Sequence, residues 1–126
     1  MPNASELVDA ARAARANAFA PYSKFAVGAA LLCQDGTIVR GCNVESASYP
    51  LTMCAERNAV FAAVAGGKRK FVAIAIAGPS DARTSPCGAC RQILAEFGPD
   101  MVVYYTVPGG VEETTARALL PDAFVL

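Results

Sequence analysis

Histidine is missing from all 126 residues, and that absence removes more chemistry than any other feature of the composition. No triad built on an imidazole base is available. Every zinc ligand set that includes histidine is excluded as well, so a transition-metal site has to rest on cysteine, with Asp or Glu as additions. Net charge is missing too: eleven basic residues cancel eleven acidic ones, which leaves no broad electrostatic footprint for nucleic acid. The one basic cluster, Lys68-Arg69-Lys70, follows Gly66-Gly67 and reads as a solvated turn. Although 54% of the residues are hydrophobic, no run approaches the ~18 uninterrupted apolar residues of a membrane span. The N-terminus lacks a basic segment followed by an apolar stretch, so no signal peptide is expected and the cytoplasm is the expected location. The length suits one domain, 1–126, with a real core.

What is present centres on cysteine. Five cysteines without a secretory signal read as metal ligands or buried thiols rather than a disulfide framework. Three of them fall in two short motifs, Cys54-Ala55-Glu56-Arg57 and Pro86-Cys87-Gly88-Ala89-Cys90. Three protein ligands with the fourth position left to water make the open, catalytic form of a zinc site. A carboxylate two residues after the first thiol is placed to move protons. The pattern C-x-E…P-C-x-x-C is the three-cysteine form of the signature of zinc deaminases that act on nucleobases.

Each piece also has a plainer reading. A lone C-x-x-C serves as a redox pair or as half of a structural zinc site, but the βαβ start of a thioredoxin-like domain is not where Cys87 lies. A closed four-cysteine site needs Cys33 or Cys42. Both lie in or at the edge of apolar strands, where a free thiol packs as a small hydrophobe. Glu56 alone reads as a solvated helix residue; beside three thiols it becomes a general acid/base.

Along the chain, Asn3 and Glu6 form a capping-box pattern ahead of a helix that Pro21 stops. Phe25 to Leu32 predicts a buried strand, Asp35-Gly36 a tight turn, and Thr37 to Cys42 the return strand. A polar loop then leads to a helix from about Met53 to Ala65 with Thr52 as its N-cap. Phe71 to Ala77 predicts a strand, and Ser85-Pro86 the N-cap and first residue of a helix to about Phe97. Met101 to Val107 and Val111 to Thr114 are the last strands, and Ala116 to Leu120 a brief helix. Strands three and four enclose a helix and should be parallel. The predicted fold is a three-layer α/β/α sandwich around a mixed sheet of about five strands.

The chain resembles the cytidine deaminases of the small, homotetrameric, three-cysteine zinc type, almost end to end. The stretches that carry the likeness are Pro21-Tyr22-Ser23-Lys24-Phe25 with Val27-Gly28-Ala29-Ala30, Gly41-Cys42-Asn43-Val44-Glu45, Tyr49-Pro50-Leu51, Cys54-Ala55-Glu56-Arg57, Ser85-Pro86-Cys87-Gly88-Ala89-Cys90-Arg91-Gln92, and Leu119-Leu120-Pro121 with Phe124. The resemblance implies hydrolytic deamination of cytidine and deoxycytidine to uridine and deoxyuridine, as in pyrimidine salvage, with release of ammonia. It implies one Zn²⁺ per chain on Cys54, Cys87 and Cys90, which activates water for attack at C4 while Glu56 shuttles protons. Arg57 would offset the charge of three thiolates by hydrogen-bonding a ligand sulfur. Asn43 and Glu45 would bind ribose hydroxyls, Phe25 would pack on the nucleoside, and the Ala55 N–H would meet the base carbonyl. Phe124 would enter a neighbouring subunit's site in a homotetramer, and Tyr49 would lie at a subunit boundary. The partner is thus a small nucleoside, with no nucleic acid and no membrane.

Three rivals stand beside this reading. A tRNA adenosine deaminase usually has His at the position of Cys54 and a helix between its last strands, for which Pro108-Gly109-Gly110 leaves no room. A blasticidin-type deaminase shares the zinc motifs and the Leu-Leu-Pro ending. A non-catalytic zinc-stabilised interaction module would have no use for Glu56.

Overall fold

The computed structural model describes residues 1–126. Asn3 caps α1 (Ala4–Arg15), its side chain accepting from the Glu6 N–H at 2.9 Å. The hairpin of β1 (Gly28–Cys33) and β2 (Ile38–Cys42) follows, then α2 (Ala55–Ala65), β3 (Phe71–Ala77), α3 (Gly88–Phe97), β4 (Val102–Val107), β5 (Gly110–Thr115) and the single-turn α4 (Ala116–Leu119). The sheet order is β2-β1-β3-β4-β5, with β3 and β4 parallel and the other pairs antiparallel. This is the mixed five-stranded sheet between helical layers that the sequence predicts.

Alternation along the strands separates two cores. Ala30, Leu32, Ala73, Ala75 and Ala77 face Leu7, Val8, Ala10 and Ala11 of α1. Ala29, Leu31, Cys33, Ile74, Ile76 and Val103 face Ala55, Ala59 and Val60 of α2, Leu94 of α3 and Ala116 of α4. Six of the nine residues on the α1 side are alanine, so that helix sits close. A Cβ built on Gly28 would stand 2.1 Å from the Ala11 carbonyl oxygen, and one on Gly41 2.5 Å from that of Ala55. Both glycines are contact points between a strand and a helix backbone, and the second sets the depth of α2.

Local boundaries differ from the sequence expectation for tertiary reasons. Helix α1 ends at Arg15, well short of Pro21, because Phe19 is drawn into a bridge beside Val44, bonded to Asn43 and Glu45 backbone. Strand β1 starts at Gly28 rather than Phe25, because the Asn43 side chain takes up the Phe25 carbonyl and the Val27 N–H. Helix α2 starts at Ala55 with Cys54 as N-cap, not Thr52. Met53 is held extended in a bridge to Val44, and the Thr52 hydroxyl accepts from the Ser46 N–H instead. Helix α3 likewise starts at Gly88 with Cys87 as N-cap, so Ser85 and Pro86 precede the helix rather than open it. A 3-10 turn, Tyr49–Leu51, lies within the polar loop ahead of α2. Of the two thiols read as core, Cys33 is fully buried and Cys42 only partly so. In the basic cluster, Lys68 pairs with Asp35 and Arg69 donates to the carbonyls of Val64, in the last turn of α2, and Lys68. No helix is long and apolar enough to cross a membrane.

Candidate active site

Two helix starts meet on one side of the sheet. Cys54 and Cys87 are the N-caps of α2 and α3, and neither side chain is spent on a capping bond. Helix N-termini favour negative charge, which suits thiolates. Cys90 lies three residues into the same helix face as Cys87 and is fully buried. The Cys54 and Cys87 sulfurs are 3.9 Å apart, and all three lie within 4.8 Å of one another. A tetrahedral zinc with Zn–S bonds of ~2.3 Å holds its sulfurs ~3.8 Å apart. The cluster therefore has the size of a three-thiolate zinc site, and its spacing is well beyond a disulfide bond.

The charges inside the cluster point the same way. A hydrogen bond from Cys90, then Arg57 beside it, pulls the Cys54 thiol down to about 5. Cys90 is pushed up by that same bond and by burial. Without a cation only part of the cluster can ionise; a dication lets all three sulfurs act as thiolates. Arg57 Nη2 donates to Cys54 Sγ at 3.1 Å, while its Nε is buried without a partner.

Glu56 sits in the first turn of α2 and is 5% exposed. Burial, with the Cys54 charge adding to it, holds its carboxyl up at about 7. A buried acid/base tuned towards neutrality can both take and return a proton.

Beside the sulfurs opens a cavity of about 370 Å³, lined among others by Phe25, Asn43, Glu45, Ala55, Glu56 and Cys87. That volume suits a small polar ligand. As the first residue of α2, Ala55 carries an N–H with no partner inside the helix. The Asn43 amide accepts from the Val27 N–H at 2.9 Å and donates to the Phe25 carbonyl at 2.8 Å. Glu45 Oε1 accepts from the N–H groups of Tyr22 and Ser23, each at 3.0 Å, and its Oε2 from the Ser23 hydroxyl. That hydroxyl, then burial opposing it, leaves the Glu45 carboxyl below its usual range. Phe124 is the exception among the expected residues: it is 69% exposed and lines none of this cavity. Its carbonyl accepts from Gln92 Nε2 at 3.1 Å. Tyr49 is half exposed at the rim.

Sequence reasoning assigned nothing to several wall residues. Ser23 lies inside a stretch that carried the resemblance, so a signal was there. Arg83 and Thr84 had none, since only the tertiary fold brings the segment after β3 against the cavity. Arg83 ties that segment to the last hairpin, donating to the Tyr105 hydroxyl at 2.8 Å and pairing with Glu112. The Thr84 backbone N–H donates to the Thr106 carbonyl at 2.9 Å. Its side chain covers Gly78, and its hydroxyl is buried with no partner. Thr84→Val removes an orphaned polar group at nearly constant shape and should stabilise the fold by ~1 kcal/mol. A calorimetric Tm that falls instead would mean that the hydroxyl is bonded in solution.

The geometry can be set against known proteins. The family described as the cytidine and deoxycytidylate deaminase zinc-binding region matches residues 1–106. A cytidine deaminase of Sporosarcina psychrophila is 52% identical over 94% of this chain and 89% of its own length. The crystal structure of a cytidine deaminase from Burkholderia pseudomallei superposes with a TM-score of 0.93 at 51% identity, covering 98% of this chain and all of the other. A blasticidin-S deaminase of Bacillus cereus is more distant, 32% identical over 79% of this chain and 76% of its own length. The match is nearly full length and takes in both helix starts that carry the sulfurs. The chain belongs to the cytidine deaminase family of zinc-dependent hydrolases.

Proposed function

We propose that this chain converts cytidine and deoxycytidine, with one water, into uridine or deoxyuridine and ammonia. The observation that carries the reading is a buried carboxylate, Glu56, beside a zinc-sized cluster of three sulfurs in a nucleoside-sized cavity. Cys54, Cys87 and Cys90 are its metal ligands. Bound there, zinc would polarise a water and lower its pKa towards neutrality. Glu56 takes a proton from the water as the C4–O bond forms and delivers it to ring N3. The proton of the new C4 hydroxyl, passed through the same carboxylate to the exocyclic amine, lets the C4–N bond break with ammonia leaving and the C4 carbonyl forming. The Ala55 N–H orients the base by its carbonyl, and Phe25 packs on the nucleoside. Arg57, donating to Cys54, draws charge from a sulfur and keeps a three-thiolate site electrophilic.

The sugar is read by what Asn43 and Glu45 have left to give. A carboxylate offers about four lone-pair sites, and the segment Tyr22–Ser23 takes three on Glu45. Asn43 keeps one N–H and one lone pair beyond its bonds to Phe25 and Val27. One hydroxyl that donates to Glu45 and accepts from Asn43 uses this remaining capacity. Two sugar hydroxyls are common to both substrates; of these the 3′-OH, set directly on the ring, is assigned to this pair rather than the 5′-OH on its rotatable arm. Removing the 2′-OH should therefore change kcat/KM little. Removing the 3′-OH, a hydrogen bond to a charged group, should lower it by ~10- to 100-fold.

The test is the ultraviolet absorbance change of cytidine on conversion to uridine by zinc-loaded protein, run beside the 2′- and 3′-deoxy analogues. No turnover of cytidine or deoxycytidine would sink the reading. Equal rates on all three would sink the sugar assignment alone.

The same reading makes the active enzyme a homotetramer, in which Phe124 of one subunit closes the cavity of another. Support comes from the exposure of Phe124, Phe19, Tyr49 and Leu51.

A further inference from the structure

The segment Tyr22–Phe25 belongs to no helix or strand and its residues are exposed or half exposed, yet it forms one wall of the cavity. What shapes it is Glu45. This carboxylate is 5% exposed and lies in no ion pair. Its charge is met by successive backbone N–H groups of Tyr22 and Ser23 converging on Oε1, a nest of the kind that binds anions. Lys24 closes the turn at φ 59°, in the left-handed region, with its N–H on the Ala20 carbonyl. A non-glycine residue held there marks a backbone whose shape is imposed by its surroundings.

The Ser23 hydroxyl stands between the two groups that contact substrate. Its proton goes to Glu45 Oε2, and its oxygen accepts from the Phe25 N–H at 3.0 Å. A hydroxyl has one proton to give, and its rotor is free until something fixes it. Here both ends are engaged, so Oε2 is turned and the Phe25 backbone is anchored by one side chain. We propose that Ser23 is a positioning residue for the sugar: it aims the last free lone pair of Glu45 into the cavity and ties that aim to the placement of Phe25. Without it, Oε2 is met by mobile water and must be reordered each time a nucleoside binds. The loss falls on binding and leaves the chemistry at Glu56 untouched.

This proposal rests on Glu45 reading the 3′-OH, and the experiment separates the two. Steady-state kinetics are measured for the zinc-loaded wild type, Ser23→Ala and Ser23→Thr, on cytidine and on 3′-deoxycytidine. For Ser23→Ala, kcat/KM on cytidine should fall by roughly tenfold through KM, with kcat within about twofold. On 3′-deoxycytidine, which makes no bond to Glu45, the same change should cost less than about twofold. Ser23→Thr keeps the hydroxyl and should restore cytidine kinetics. Equal losses on both substrates, a loss carried by kcat, no change on cytidine, or a Ser23→Ala protein that fails to fold would each overturn the proposal. A wild type that does not distinguish the two nucleosides would instead overturn the role of Glu45.

Discussion

Glu56→Gln is expected to abolish most turnover, lowering kcat by at least ~10²–10⁴-fold, while zinc content and melting temperature stay near those of the wild type. The amide keeps the size and the buried position of the carboxyl but can neither accept a proton at neutral pH nor hand one on. The loss should exceed that of an acid used once, because in the proposed reaction Glu56 serves both in forming the C4–O bond and in breaking the C4–N bond. Zinc should be retained because the three sulfurs are grouped without help from this side chain. Metal analysis and calorimetry on the variant, alongside the absorbance assay, check each part. A variant that lost zinc or unfolded would make Glu56 a structural residue and revive a non-catalytic site.

Gly41→Ala is expected to damage the fold and the active site together. The added Cβ would meet the Ala55 carbonyl at 2.5 Å and the Ala59 nitrogen at 2.6 Å. Both are helix backbone, so neither can rotate aside. Either β2 or the start of α2 has to move. Overpacking of this kind typically costs ~1–3 kcal/mol and occasionally more, and the rigid backbone on both sides puts this site at the upper end. The bond from Asn58 Nδ2 to the Cys42 carbonyl at 2.8 Å is strained by the same shift. Displacement at Ala55 also moves Cys54 and Glu56, so zinc affinity and kcat should fall with Tm. Titration with a competing chelator reads the first. A variant that loses stability but keeps wild-type zinc affinity would show that the sheet, not the helix, gives way.

These two positions also mark what was legible beforehand. Cys54, Glu56, Cys87 and Cys90 could be picked out because ligand spacing is a property of the chain itself. Strand β3 and the parallel β3–β4 pair were legible for a similar reason, since an apolar run and a helical crossover are local facts. The starts of α2 and α3 lie two residues beyond the positions the sequence suggests. Thr52 and Ser85 are better N-caps by type than the cysteines that do the job, but a backbone bridge from Met53 to Val44 decides the first case. The crowding at Gly41 was invisible, because a glycine in a strand does not announce which helix lies over it. Arg83 and Thr84 reach the cavity only through the return of β4 beside β3. Phe124 was named from the family likeness, and a single chain leaves its ring outside the cavity.

The two cysteine N-caps have a consequence for how the chain is tied together. Cys54 and Cys87 are 33 positions apart in sequence, so an ion shared by their sulfurs closes a long loop. A covalent staple around a loop of that size would withdraw ~3–4 kcal/mol of freedom from the unfolded chain. An ion does the same work without an oxidant, and it can be put in or taken out by trace-metal supply alone. The enzyme's lifetime should thereby depend on metal availability: a chain deprived of zinc loses one long-range fastener, beyond those of the sheet and its cores, along with its chemistry.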